Sequence, residues 1–293
     1  MTIRTIAVHD LGGTGPTTMY AHATGFHARC WEPVAARLPA MHNIAYDAKG
    51  HGDTPADPDG AVDWATYGAD AAAVADSLND AGSLNDEGSR NDSDFLNDGG
   101  PVLGVGHSMG GAALLMAALS SPESFTGIVV YEPIVMPPAF ASVNGDNNLL
   151  AARARRRRST FASFEQAVDN YSSKPPLNIF TPESMEAYVR GGFAVGDDRL
   201  VHLKCSPEHE ARTFEAASDH HTWERLVDIS VPVWLLCGRP QDGQPSAGAA
   251  SLAERIPGAR YIQLDHLGHF GPMQSPGEIA ALIADAAANF SPT

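Results

Sequence analysis

Residues 101–119 read PVLGVGHSMGGAALLMAAL: a short apolar run, then Gly106-His107-Ser108-Met109-Gly110-Gly111, then an Ala/Leu-rich helical pattern. A serine set between glycines where a strand hands over directly to a helix leaves few ways to fold. The turn must be tight, and small residues on both sides let strand and helix approach closely. The serine is then held strained and exposed at the carboxyl edge of a sheet. The helix that follows aims its N-terminal amides at the same spot, where they favour negative charge.

The same alternation of apolar runs and helical patterns recurs at both ends of the chain. Strands are expected at Thr2–Val8, Thr17–His22, Asn43–Tyr46, Val102–Val105, Phe125–Tyr131, Val231–Cys237 and Arg260–Leu264. Helices are expected at Trp31–Leu38, Asp63–Leu78, Met109–Ser120, Pro245–Arg255 and Pro276–Asn289. Such a rhythm implies an α/β fold, a mainly parallel sheet flanked by helices. Residues 1–136 and 227–293 would form its core.

Two segments break the rhythm. Residues 79–99, within an Asn/Asp-rich stretch where SLND occurs twice, are polar and nearly without apolar anchors, so they read as an exposed insertion. They lack a complete calcium-loop pattern, which argues against a metal there. Residues 137–226 carry helical pieces at Leu149–Phe161, Phe164–Tyr171, Pro182–Arg190 and Glu208–Ala217, and read as a helical cap inserted between two strands of the main sheet. The cap is rich in aromatic residues, among them Phe140, Phe161, Phe180, Tyr188 and Phe193, which predicts a largely apolar pocket. Its arginine run, Arg153 and Arg155–Arg158, reads as a solvated helix face, with the alternative that one arginine faces the cleft and binds an acidic group.

Charge excludes some partners. With 19 basic against 35 acidic residues and a formal charge of −16, neither nucleic acid nor an anionic membrane surface is expected as a partner. Three widely spaced cysteines, Cys30, Cys205 and Cys237, do not suggest a disulfide framework and fit a reducing compartment. No signal-like segment or long apolar span stands out, so the expected location is the cytoplasm.

A serine hydroxyl needs a base to act as a nucleophile. His269, in LDHLGHFGP directly after the last expected strand, returns to the same sheet edge. His266 reads as local structure, and His107 should point away from its neighbour's side chain. The third partner should be a carboxylate that orients the histidine. Two candidates stand at strand ends: Glu132 in VVYEPIVMPP and Asp242 in CGRPQDGQPS. Backbone donors for an oxyanion are expected from the amides of Met109, after the serine, and Thr24, in the loop MYAHATGFHARCW. His202, Cys205 and His209 have a loosely metal-like spacing with no fourth ligand, so no metal is expected. The Gly-rich GGTG at residues 12–15 lacks the rest of a nucleotide fingerprint and reads as a plain turn.

Together these stretches resemble the α/β-hydrolase superfamily. HATGFHARCW stands where the family carries H-G-x-x-G, AYDAKGHGDTP is similar to its D-x-x-G-H-G-x-S stretch, and GHSMGG and GHFGP match its elbow and histidine loop. The departures are Ala23 in place of the commoner glycine, the Asn/Asp-rich insertion, and the loop after Cys237, where Asp242 falls one residue late and Gln241 takes the usual acid position. YEPIVMPP resembles the stretch of those haloalkane dehalogenases and serine lactonases that carry a catalytic Glu after this strand. Glu132 lies 24 residues after Ser108, which suits that arrangement, so the resemblance favours Glu132 as the acid, with Asp242 second. Dehalogenase and epoxide-hydrolase chemistry are disfavoured because those relatives attack with Asp at the elbow.

The implied protein is a cofactor-free serine hydrolase acting on a carboxylic ester or lactone of a small molecule, with Ser108 as nucleophile, His269 as base and Glu132 as acid. The rivals are a C–C bond or thioester hydrolase with the same triad, and a ligand-binding receptor on a hydrolase scaffold. Neither the substrate nor the oligomeric state follows from the sequence.

Overall fold

The computed structural model describes residues 6–57, 60–80, 99–137, 148–217 and 220–290. Its main sheet begins with β1 (Val8–Asp10) and β2 (Thr17–Ala21). A 3₁₀ turn over Ala28–Trp31 leads into the short α1 (Glu32–Ala35), then β3 (His42–Tyr46) and α2 (Trp64–Asp80). β4 (Val102–His107), α3 (Met109–Ser120) and β5 (Phe125–Tyr131) follow.

Between β5 and the next strand of this sheet lie α4 (Leu149–Arg155), β6 (Thr160–Phe161), α5 (Phe164–Ser172), α6 (Pro182–Gly192), β7 (Phe193–Val195), β8 (Val201–Leu203), α7 (Pro207–Glu215) and α8 (Thr222–Arg225). The chain then returns through β9 (Val233–Gly238), α9 (Ala249–Arg255), β10 (Arg260–Leu264), α10 (Gly271–Gln274) and α11 (Pro276–Phe290).

The seven strands run in the order β1-β3-β2-β4-β5-β9-β10. Every neighbouring pair is parallel except β1 with β3, at the edge. All residues of β2, β3, β4 and β9 are buried, as befits strands covered on both faces, and this is why they read as unbroken runs rather than as alternating ones. One face packs on α2, α3 and α9 through Val74, Leu78, Leu114, Val130, Leu235 and Leu252. The other packs on α1 and α11 through Val34, Leu103, Val105, Val129, Leu236 and Ile283. Small residues bring α2 and α3 close: a Cβ on Gly68 would run into the Met116 side chain.

The segment between β5 and β9 departs from the helical reading. The helix expected over Leu149–Phe161 ends at Arg155, and β6, β8 and β7 form a three-stranded antiparallel sheet. These strands are only two or three residues long, too short for a period-2 pattern to register. The segment joins the main body through a third apolar cluster that unites Phe161, Phe180, Tyr188 and Phe193 with Phe26 and Met273. Trp31–Leu38 is likewise a 3₁₀ turn passing into one turn of helix, with Pro33 at its start. The edge strand begins at Val8 rather than ending there. Residues 2–5, nearly all of the insertion expected over 79–99, and Phe140 lie outside the described residues. At the borders of that insertion, the Gly100 N–H donates to the Asn79 carbonyl (3.0 Å).

Candidate active site

β4 ends at His107 and α3 starts at Met109, so Ser108 alone makes the turn, at φ 56°, ψ −116°. A non-glycine residue takes such a conformation only when its surroundings impose it. Here the backbone does so. The Ser108 N–H donates to the Tyr131 carbonyl (3.0 Å), and its carbonyl accepts from Ala112 (3.1 Å) and Ile134 (3.2 Å). The glycines are needed for close approach. A Cβ on Gly106 would meet Gly111, and one on Gly110 would collide with the Ala21 and His22 carbonyls.

That contact lays the start of α3 directly over the end of β2 and the loop that follows it. Thr24 is buried in this loop, beside Gly25 at φ 76°. No backbone carbonyl among the described residues accepts from the Thr24 amide. Met109, as first residue of α3, has no intrahelical acceptor one turn back.

His269 lies in the turn between β10 and α10. Its Nδ1–H donates to Glu132 Oε2 (2.7 Å), and its Nε2 accepts from Ser108 Oγ (3.2 Å). Glu132 follows β5 directly, with φ 43° and 1 % exposure. Its other oxygen, Oε1, accepts from the Gly238 N–H (2.8 Å). Both oxygens of this buried carboxylate are thus satisfied, as burial of a charge requires.

The turn carrying His269 is fastened at several points. The Tyr131 hydroxyl donates to the Gly268 carbonyl (2.7 Å), and the Gly268 N–H donates to Gln274 Oε1 (2.9 Å). The Arg239 N–H donates to the Leu267 carbonyl (3.0 Å). His107 Nε2–H donates to the carbonyl of His269 itself (2.7 Å).

Asp242 is not brought to this site. It is exposed in the turn after β9, where the neighbouring Gln241 N–H donates to Ser246 Oγ (3.2 Å). His266 is exposed and pairs with Glu278 (2.8 Å). The histidines and cysteine with metal-like spacing do not converge either. His202 pairs with Asp198 (2.9 Å), while His209 Nε2–H donates to the Lys49 carbonyl (3.0 Å). Of the arginine run, Arg157 turns inward and Arg155 pairs with Glu208 and Glu215 at the surface. Arg157 donates to Glu210 (2.5 Å) and to the Tyr171 and Tyr188 hydroxyls, and these acceptors hold its guanidinium charged against the cost of burial.

Two features escaped the sequence reading. Around His269, Phe26 stacks on Phe270 (5.7 Å between ring centroids), and Phe180 and Tyr188 close on Phe26 at 6.0 and 5.2 Å. Phe180 and Tyr188 were among the cap aromatics expected to give an apolar pocket, but their meeting with Phe26 and Phe270, from separate regions of the chain, has no local pattern to announce it. The second is a cluster of His9, Asp47 and Asp53, whose ligand atoms lie within 4.8 Å of one another. Its groups are committed to protein partners. Asp47 accepts from the His9 ring and from the Ala28 and Asp53 amides, and these bonds overcome burial to hold its carboxyl well below the usual range. Asp53 pairs with Lys204 (2.7 Å).

Residues 20–282 match the model of the Alpha/beta hydrolase family. A pimeloyl-[acyl-carrier protein] methyl ester esterase of Aromatoleum aromaticum is 25% identical over 283 residues, covering 92% of this chain and 97% of that protein. Lipase LipV of Mycobacterium tuberculosis is 31% identical over 129 residues, 44% of this chain. The matched part spans only 41% of that lipase and 38% of the mouse protein phosphatase methylesterase 1. Among solved structures, an E-2-(acetamidomethylene)succinate hydrolase superposes with a TM-score of 0.76 at 19% identity, covering 97% of this chain and 95% of that one. The enol-lactonase of Burkholderia xenovorans LB400 gives 0.65 at 18% identity, with 97% and 96% covered.

Proposed function

The chain belongs to the alpha/beta hydrolase family, and from that premise we propose that it is a serine hydrolase cleaving a carboxylic ester or lactone of a small, largely apolar molecule. The reading rests on one observation: Ser108, His269 and Glu132 form an unbroken hydrogen-bonded relay, at 3.2 and 2.7 Å, on three different loops of the sheet edge. The esterase and lipase among its relatives support ester chemistry over the other bonds that such a relay cleaves.

In this reading the Ser108 oxygen attacks the acyl carbon as its proton passes to His269 Nε2. The C–O bond to the leaving alcohol then breaks, with the same proton delivered to the departing oxygen. Glu132 fixes the imidazole in the tautomer with Nδ1–H and stabilises its charged form. Developing negative charge on the carbonyl oxygen is met by the amides of Thr24 and Met109, aided by the N-terminus of α3. Water, deprotonated by His269, then attacks the acyl carbon, and the bond to Ser108 Oγ breaks as His269 returns the proton to that oxygen, which frees the acid.

In this reading the segment 137–226 acts as the cap, and the packed rings of Phe26, Phe180, Tyr188 and Phe270 beside His269 supply the apolar contacts for the substrate. Three buried free thiols, Cys30, Cys205 and Cys237, agree with a cytoplasmic setting. No helix among the described residues is long and apolar enough to cross a membrane.

The test is stoichiometric labelling by a fluorophosphonate probe. Wild type should be labelled and Ser108→Ala should not. Folded wild type that resists the probe would turn the reading towards a ligand-binding role.

A further inference from the structure

His107 precedes the proposed nucleophile, yet its side chain belongs to the base. Strand alternation sends it to the same face of β4 as Leu103 and Val105, the face that also packs against Leu267 of the histidine turn. There it is fully buried, with its ring centroid 5.0 Å from that of His269 and its Nε2 2.7 Å from the His269 carbonyl oxygen. A carbonyl can only accept, so Nε2 carries the proton. Nδ1 then presents a lone pair, and it is buried with no partner in a surround of Phe26, Tyr131 and Phe270. Leaving a buried nitrogen unpaired is costly, and an apolar residue of similar shape would avoid that cost.

We propose that His107 is a positioning residue: its Nε2–H bond to the His269 carbonyl ties the strand leading into the nucleophile turn to the turn carrying the base, and so sets the Ser108–His269 distance. This rests on the triad reading above. The tie is short and direct. One end is the residue before Ser108, and the other is the backbone of His269 itself. Tyr131, whose carbonyl accepts the Ser108 N–H, and Gln274 fasten Gly268, one residue away, whereas the His107 bond reaches the backbone of His269 itself. Burial, reinforced by the neighbouring His269, pushes the His107 ring pKa well below the usual histidine range, so the ring stays neutral and keeps this single-donor form. A charged ring would also disfavour the imidazolium that His269 must become.

The experiment compares rates of fluorophosphonate labelling in wild type, His107→Leu and His107→Gln. Glutamine places an N–H at nearly the same reach as Nε2, while leucine keeps bulk without a donor. The leucine variant should label on the order of 10- to 100-fold more slowly, the loss expected when reacting groups drift by a fraction of an ångström to an ångström. The glutamine variant should recover most of that rate. A role in packing alone predicts that glutamine is no better than leucine, and either that result or a wild-type rate in the leucine variant overturns the proposal. Wild type that does not label overturns the triad reading instead.

Should the leucine variant fail to fold, ring ¹⁵N shifts of wild-type His107 decide the matter. A neutral Nε2–H tautomer unchanged from about pH 8 to 5.5 is expected. A ring that titrates in that range, or one protonated on Nδ1, overturns the proposal.

Discussion

At the scale of single residues, the choice between the two acids carries the sharpest consequence. Glu132 is buried with both oxygens bonded, whereas Asp242 is exposed. In Glu132→Gln the Gly238 N–H still has an oxygen to meet, but the amide N–H₂ then faces His269 Nδ1. The imidazole must turn to the tautomer with its proton on Nε2, where it cannot accept from Ser108. Turnover should fall by about 10⁴-fold with the fold intact, while Asp242→Asn should stay within about 2-fold of wild type. Ester hydrolysis by both variants, with their melting temperatures, checks this, and the reverse ranking would move the acid to the turn after β9. Ser108 and His269 were legible as candidates because glycine-flanked turns at strand ends leave a local signature. The residues alone left the acid as a pair of alternatives, since they do not say which of two strand ends lies under the base, and it was the family resemblance that favoured Glu132 over Asp242. That His107 points away from the Ser108 side chain was legible from alternation along β4, but its bond to the His269 carbonyl was not, since that partner is distant in the chain.

At the scale of elements, the junction of β4 and α3 is governed by clearance. Alanine favours a helix over glycine by about 1 kcal/mol, so Gly110→Ala would ordinarily stabilise α3. Here its Cβ would overlap two carbonyls at the end of β2, and α3 must lift off the sheet. Overpacking of this kind costs about 1–3 kcal/mol, so the collision wins. The variant should melt lower than wild type. It should also lose at least about 10-fold in turnover, because Ser108 and the Met109 amide move with the helix. Calorimetry alongside a kinetic assay reads both, and a variant as stable and active as wild type would mean that the approach is looser than described. The buried strands and long helices were visible as runs and periods. The β6–β8–β7 sheet was not, because strands this short are created by pairing with one another rather than by any preference of their own residues.

At the scale of the whole molecule, four histidines are fully enclosed. Burial is the leading cause that lowers the pKa of His22, His27, His51 and His107, to about 4 for His27. Their folded values lie below the unfolded one of about 6.5, so the unfolded chain binds protons that the folded chain refuses. Stability is therefore whole above about pH 7 and is lost as pH falls through 6.5 towards 4. Each such histidine contributes up to about 1.4 kcal/mol per pH unit within that window. Urea midpoints should drop steadily from pH 7 to 5, before most carboxylates begin to protonate, and a flat profile to pH 5 would show that these rings are solvated. Strand order at this scale could not be read from the chain, since it depends on which edges meet after collapse. The placement of the acid also bears on how such a protein changes through descent. In the proposed triad, nucleophile and acid sit at the ends of neighbouring strands within residues 102–132. They are inherited as one block, and recombination that carries this block carries two thirds of the chemistry. The turn after β9, released from that duty, is left open to drift, and its displaced aspartate is what such freedom would leave behind.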